Sequence, residues 1–225
     1  MNHSVFVCLL ASTLSLMFAA QVQNPPMRKG ISVQMALTTN AMPEPAADNE
    51  DAWIITVTVD GHLFFGIKAV TPESLTQAMI ATPRHRDQYL YIKADARTRF
   101  GTVSQALNSG KVDGFQSAVL LTNQHETPAP GNLVAPKGLE VLLASSSPQA
   151  VTVQLRNSGE NIPAVQVNGR EIMMSDLQDA LNQVLREQTN RLVQLQADDS
   201  LKFAQVAQVI DACSSVKASV VIASE

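Results

Sequence analysis

The stretch YIKADARTRFGTV at residues 91–103 decides the fold, because it returns in modified form as QLQADDSLKFAQV at residues 194–206. In both stretches a strand-like segment ends in Ala-Asp, and a Phe and a Val follow at the same spacing. Asp95 and Asp198 therefore occupy equivalent positions, 103 residues apart. Solenoid repeats are shorter, about 20–50 residues, so we interpret the chain as two tandem copies of a domain of about 75 residues.

The repeat extends on both sides of this stretch. Ahead of it, PESL at residues 72–75 corresponds to SDL at residues 175–177. After it, the apolar run AVLLT at residues 118–122 corresponds to SVVIA at residues 219–223. Such continuous apolar runs are typical of strands in the interior of a sheet.

The elements predicted for the first copy follow the order ββαβαβ. Residues 54–59 and 63–70 predict a hairpin around the turn signal Asp60-Gly61. The other predicted elements of this copy are a helix after Thr71, a strand at 89–94, a helix at 102–112 and a strand at 118–122. The second copy repeats the order, with strands at 151–155, 164–167 and 191–197, a turn at Asn168-Gly169, helices at 175–188 and 203–214, and a last strand.

The helix after the hairpin has clear signals at its start. Thr71 is a typical N-cap, and Pro72 fits the first helical position. Leu75, Met79 and Ile80 are spaced for one buried face.

We therefore predict an α+β protein: two tandem small ββαβαβ domains, each a mixed sheet with helices on one face, after one N-terminal membrane helix. The predicted segments are a membrane anchor or signal-like segment at 1–22, a linker with a short strand at 23–51, a first domain at 52–124, a linker at 125–147 and a second domain at 148–225.

Charge and cysteine content exclude several classes of function. A net charge of −4 and a pI near 5.6 argue against a nucleic-acid partner, which would require a basic surface. Cys8 and Cys213 are too few for a disulfide framework or a metal site. The sequence contains no G-x-S-x-G, H-E-x-x-H or glycine-rich phosphate loop. We therefore expect no enzyme activity, no catalytic residue, no metal and no cofactor.

The N-terminal segment is expected to enter or cross a membrane. Residues 5–20 are apolar or small and carry no charge. At about 1.5 Å per residue they span about 24 Å, short of the ~30 Å hydrocarbon core. This length allows either a signal-peptide core or a tight membrane anchor. In both cases the chain beyond residue 22 lies outside the cytoplasm.

A short alternating segment follows this apolar run inside the first linker. Ile31, Val33 and Met35 point to one side of a strand predicted over residues 31–37. We expect this strand to pair with an open sheet edge, either in its own chain or in a second copy of the chain. Pairing with a second copy would produce a homodimer.

Several segments together resemble the ExbD/TolR family of biopolymer transport proteins. They are residues 54–61 (IITVTVDG), 71–75 (TPESL), 90–95 (LYIKAD) followed by Val103, 119–122 (VLLT), 16–20 (LMFAA) and 30–33 (GISV). The resemblance implies a single-span subunit of an inner-membrane complex driven by the proton-motive force. Its implied partners are an ExbB/TolQ-like membrane protein and a TonB/TolA-like energy transducer or peptidoglycan.

One departure from the family bears on proton coupling. The family has an aspartate near the cytoplasmic end of its membrane helix, and the matching position here falls near Val7. The titratable side chain near that end is His3, which is either a solvated residue or a substitute proton carrier. Either direct proton coupling is lost, giving an accessory subunit, or the upstream half of the helix is missing from this sequence. The alternative function is a secreted periplasmic module that binds a peptide strand or peptidoglycan.

The two repeated aspartates and one basic cluster remain as candidate contact residues. Asp95 and Asp198 each follow a strand, where a carboxylate either accepts backbone hydrogen bonds or contacts a partner. The basic cluster is either a solvated surface or a contact for acidic partners or anionic glycan; it consists of Arg84-His85-Arg86, Lys93, Arg97 and Arg99.

Overall fold

The computed structural model describes most of the chain beyond the N-terminal segment, namely residues 30–83, 88–126, 134–143, 149–159, 162–186 and 188–223. These residues form a mixed α+β fold with twelve strands and four α-helices. The elements up to the end of the first copy are β1 (Met42–Pro43), β2 (Trp53–Val57), β3 (Leu63–Phe65), β4 (Lys68–Val70), α1 (Pro72–Ile80), β5 (Leu90–Ala94), α2 (Phe100–Val112) and β6 (Ser117–Thr122). Those that follow are β7 (Lys137–Leu142), β8 (Val151–Arg156), β9 (Ala164–Val167), β10 (Arg170–Ile172), α3 (Leu177–Leu185), β11 (Leu192–Ala197), α4 (Phe203–Ser215) and β12 (Ser219–Ile222).

The predicted order of elements is present in both copies, with one addition in each. The predicted single strand at 63–70 is two antiparallel strands, β3 and β4, which turn at Gly66 with φ +62°. The second copy has the same extra pair, β9 and β10, around Asn168 and Gly169. Both turn residues have positive φ, 50° and 80°, as the predicted Asn-Gly turn requires.

The start of α1 agrees with its sequence signals. The Ser74 backbone N–H donates to Thr71 Oγ1 at 3.2 Å, and the Thr71 N–H donates to Ser74 Oγ at 2.9 Å. This reciprocal capping satisfies two backbone donors at the N-terminus of the helix. Leu75 and Met79 are buried as predicted, but Ile80 is 61% exposed, so its place on the buried face is wrong.

The two copies share one continuous sheet, in the strand order β10-β9-β8-β11-β12-β7-β6-β5-β2-β3-β4. Residues 137–142, which were predicted to belong to a linker, form β7 between the copies. β7 is antiparallel to β6 over six residue pairs. It is parallel to β12 at one registered pair, Leu142 with Val221.

The helices of each copy cover one face of its part of the sheet, as predicted. In the first copy Trp53 packs against Phe65 and Phe115, with ring centroids 5.2 and 5.6 Å apart. Gly110 allows α2 to approach β5 closely, since a Cβ there would collide with the Leu90 side chain. Most of the buried apolar residues of both copies form a single cluster, so the copies share a core.

Within the described part of the chain, no helix has both the length and the apolar character needed to cross a membrane. The membrane helix predicted for residues 1–22 lies outside the described residues.

Candidate functional site

The two copies meet at their strand-to-helix loops through a symmetric set of backbone hydrogen bonds. The set is centred on an antiparallel bridge between Arg99 and Lys202, which are equivalent residues of the two copies. The bonds are Phe100 N to Leu201 O (2.7 Å), Phe203 N to Thr98 O (2.8 Å), Gly101 N to Asp199 O (3.1 Å) and Ala204 N to Ala96 O (2.9 Å). Each bond has a counterpart displaced by 103 residues in both partners. The copies are therefore paired about a pseudo-two-fold axis, as the subunits of a symmetric dimer are.

The first copy is covered on its second face by the chain that precedes it. We call residues 30–52 the strap. Ala47 of the strap is fully buried in a small apolar cluster on the sheet face opposite the helices, and Met35 and Ala52 pack against the same cluster; its sheet residues are Ile54, Tyr91, Val119 and Leu121. Gly30 lies so close to the sheet that a Cβ there would be 2.8 Å from Thr56 Oγ1.

The strap removes polar groups of this face from water. Lys93, placed from the sequence in a basic surface cluster, is 2% exposed, so its place on the surface is wrong. Burial lowers the pKa of Lys93 below its ordinary value, with a smaller opposing effect from Asp48. Burial also raises the pKa of the Tyr91 hydroxyl to about 12.

The first attachment of the strap is at Asp95, at the carboxyl end of β5. The Gln34 N–H donates to Asp95 Oδ2 at 3.2 Å, and the Ala96 N–H donates to the Gln34 carbonyl at 2.7 Å. The Arg97 side chain donates to both Asp95 oxygens at 2.9 and 3.0 Å. These hydrogen bonds, that of the Arg97 side chain first, hold the pKa of Asp95 below its usual value. Asp95 is 3% exposed, so its role in this structure is to order a loop and the strap.

The second attachment comes from the other copy. Asp211, a largely buried residue of α4, accepts hydrogen bonds from the Asn40 N–H at 2.7 Å and the Thr39 N–H at 3.0 Å. The Asn40 side-chain amide donates to the same carboxylate at 3.1 Å. The second copy thus binds the strap of the first copy. Beyond this point β1 pairs antiparallel with the start of β7, which fixes the strap between the copies.

The corresponding face of the second copy is polar and partly open to solvent. Strand β8 alternates buried and partly exposed residues, whereas every residue of β2 is buried. The side chains on this face are mainly amides, namely Gln154, Gln166, Gln194 and Gln196, with Thr152 and Arg156. Gln154 donates to Gln196 across the strands at 2.7 Å. No described segment covers this face as the strap covers the first copy.

An open cleft of about 820 Å³ lies over this polar face. Its floor comes from the second copy, through Gln154, Gln194 and Gln196, and one wall comes from α2 of the first copy, through Gln105 and Asn108. Two cationic and two anionic side chains also line it, namely Lys111, Arg156, Asp198 and Asp199.

The residues predicted to bind partners are separated by the fold. Ile31, Val33 and Met35 are half-buried in the strap, and residues 31–37 do not form the predicted strand, although Leu37 makes an isolated parallel bridge to Asn123. Asp198 is exposed at the cleft and accepts a hydrogen bond from the Asn157 N–H at 2.8 Å. A role for any of these residues in partner binding stays a prediction.

Sequence reasoning missed Asp211, although a signal was present. Asp211 interrupts the apolar run of α4 (FAQVAQVIDAC), and a carboxylate in a buried helix position is expected to have hydrogen-bond donors nearby. The neighbouring Cys213 is buried, and burial raises the pKa of its thiol to about 12. The described residues contain no group of three His, Cys, Asp or Glu side chains placed to hold a metal ion. His3, Cys8 and the cluster at 84–86 lie outside the described residues.

The fold and site define a class of protein: a tandem of two α+β domains paired about a pseudo-two-fold axis, with a strap at the N-terminal side and an open polar cleft between the copies. The sequence model of the family described as "Biopolymer transport protein ExbD/TolR" matches residues 5–125 and, a second time, residues 132–225. The chain therefore belongs to the ExbD/TolR family, with its domain present twice. No curated protein and no solved structure matches the chain.

Proposed function

We propose that this protein is a subunit of an inner-membrane complex that uses the proton-motive force to drive biopolymer or protein transport across the envelope. The observation that carries the proposal is the double match to the ExbD/TolR family, whose members are subunits of energy-transducing transport systems. The first match begins at residue 5, inside the apolar run, so it includes the segment that would cross the membrane. In this proposal the chain is single-pass, with its C-terminal bulk in the periplasm, and is not an enzyme.

We assign the chain an accessory role. Its apolar run at 5–20 contains no Asp or Glu, whereas an ionisable group within a membrane is by default a functional one. The chain would then transmit or regulate force without transferring the proton itself. The strap supports such a role, because it connects the N-terminal segment to both copies at once, through Asp95 and Asp211.

The family works with ExbB/TolQ-type membrane proteins, and we propose such a protein as the partner of the N-terminal segment. For the periplasmic copies we propose a TonB/TolA-like energy transducer or peptidoglycan. Self-association of the whole chain is a separate proposal, tested by sedimentation of residues 24–225 with and without Val33→Pro. In the structure the two copies already pair within one chain.

The experiment tests the membrane position and proton coupling separately. We expect the full chain to stay in the membrane fraction after an alkaline carbonate wash, and a version beginning at residue 24 to be released. We also expect the unmodified chain not to restore proton-motive-force-dependent activity to cells that lack their own ExbD or TolR subunit. Val7→Asp should restore part of that activity, and the matched variant Val7→Asn should not. Rescue by the unmodified chain would refute the accessory role.

The open polar cleft favours one second candidate, a periplasmic binding module that is released by signal cleavage. The mature N-terminus distinguishes the two functions. A mass corresponding to a chain that begins at or after Gln21 supports the released module, whereas an intact Met1 in the membrane fraction supports the subunit.

A further inference from the structure

The cleft is the pseudo-symmetric counterpart of the site that holds the strap. Among the residues that hydrogen-bond the strap are Asp95 and Ala96 of the first copy and Asp211 of the second. The equivalent positions in the other copy, 103 residues away, are Asp198, Asp199 and Asn108. All three counterparts line the cleft. The cleft therefore presents, in the same arrangement, the positions that bind an extended chain on the other side of the molecule.

The described part of the segment that precedes the second copy, residues 134–143, does not occupy this site. In the first copy the preceding chain crosses the back of the sheet as the strap. In the second copy the preceding chain is β7, which is inserted into the sheet between β6 and β12. No backbone hydrogen bond from the Asp199 N–H is present among the described residues, whereas its counterpart at Ala96 donates to Gln34 of the strap.

We propose that the cleft binds an extended polypeptide segment of a partner protein, along the path that residues 34–40 of the strap follow on the first copy. The floor of the cleft determines the composition of that segment. Amide side chains replace the apolar cluster under the strap, so the bound segment has polar residues such as Gln, Asn, Ser or Thr toward the sheet. The two positive and two negative side chains that line the cleft cancel in charge, so the bound peptide segment has no large net charge. The inference concerns this surface alone and does not depend on proton coupling.

Binding is tested with labelled peptides on the full chain by fluorescence anisotropy. The probes are the strap peptide GISVQMALTTNAMP, residues 30–43, and its Met35→Gln form, which suits the amide floor. We expect both to bind, the Met35→Gln form more tightly. Gln105→Trp fills the cleft from an exposed position on α2 and should weaken binding by at least about tenfold. The matched control Gln183→Trp, on an exposed position of α3 outside the cleft lining, should leave the affinity within about twofold.

A gain-of-function variant tests the symmetry directly. Asn108→Asp installs the carboxylate that Asp211 supplies on α4, and it should tighten binding of the strap peptide about fivefold. If binding is weakened by Asp211→Asn and unaffected by Gln105→Trp, the peptide has exchanged with the chain's own strap and the proposal is wrong. No binding of either peptide at about 1 mM also refutes it. If N-acetylglucosamine oligomers bind instead and Gln105→Trp abolishes that binding, the occupant is a glycan and the peptide proposal fails.

Discussion

The contact between Asp211 and the strap gives the sharpest prediction for stability. Asp211 on α4 of the second copy accepts three hydrogen bonds from Thr39 and Asn40, at 2.7, 3.0 and 3.1 Å. The carboxylate is largely buried, whereas Thr39 and Asn40 are exposed, so water can replace the lost acceptor at the strap. We therefore use about 1 kcal/mol for each bond, below the range of about 1.5–3 kcal/mol for bonds to charged groups.

The expected loss of unfolding free energy is about 2–3 kcal/mol for Asp211→Ala and about 1–2 kcal/mol for Asp211→Asn, which keeps one acceptor oxygen. Urea unfolding measures the global effect. Amide hydrogen exchange measures the local effect, because the protection of Thr39 and Asn40 should fall more than that of the core strands. The control is Asn108→Ala at the equivalent exposed position of α2, expected to change stability by less than about 0.5 kcal/mol. Equal effects of Asp211→Asn and Asn108→Ala, with unchanged exchange at the strap, would refute the reasoning.

Three further predictions concern the copies and their loops. Residues 52–124 alone lack the strap apart from Ala52 and should aggregate, whereas residues 30–124 should give a dispersed amide NMR spectrum. A soluble, folded 52–124 would contradict the covering role of the strap. Thr71→Ala should lower the unfolding free energy by about 1 kcal/mol in urea titrations, since it removes the side-chain cap of α1, and no change would contradict the capping geometry. Arg97 lowers the pKa of Asp95, so the contribution of Asp95 to stability is complete above the unfolded carboxyl pKa of about 3.9 and is lost as the pH falls through the lower folded pKa. Arg97→Gln should reduce this loss of stability in unfolding curves measured from about pH 7 to pH 2.5, and an unchanged loss would contradict the assignment.

Local signals in the sequence were sufficient for the elements and their order. The cap at Thr71, the Asn168-Gly169 turn and the repeated Ala-Asp ends depend on neighbouring residues alone, and each is present in the structure. The strand at residues 31–37 was wrong, because alternation indicates which side chains face a surface but not whether the backbone pairs along it. Residues 31–37 have that alternation, while their backbone forms hydrogen bonds only at isolated points.

The site could not be predicted because it depends on how the two copies pack. Lys93 and Thr56 are polar residues in strands, which usually indicates a solvated face, yet the strap buries both. One contrast in the sequence did indicate which copy has both faces of its sheet covered. LYIKA in β5 is apolar at most positions, whereas LVQLQA in β11 alternates, as expected if one copy is covered on both faces and the other on one.

The pairing of equivalent loops within one chain has a consequence for specificity. In a dimer of identical subunits every substitution occurs twice, so any change at one surface also occurs at its symmetric mate. Here Asp211 on α4 and Asn108 at the equivalent position on α2 are encoded by separate codons of one gene. One surface is therefore free to keep an internal ligand permanently, while its mate accepts changes that suit an external one. A tandem chain thus separates self-recognition from recognition of other molecules, with a fixed ratio of one occupied surface to one open surface.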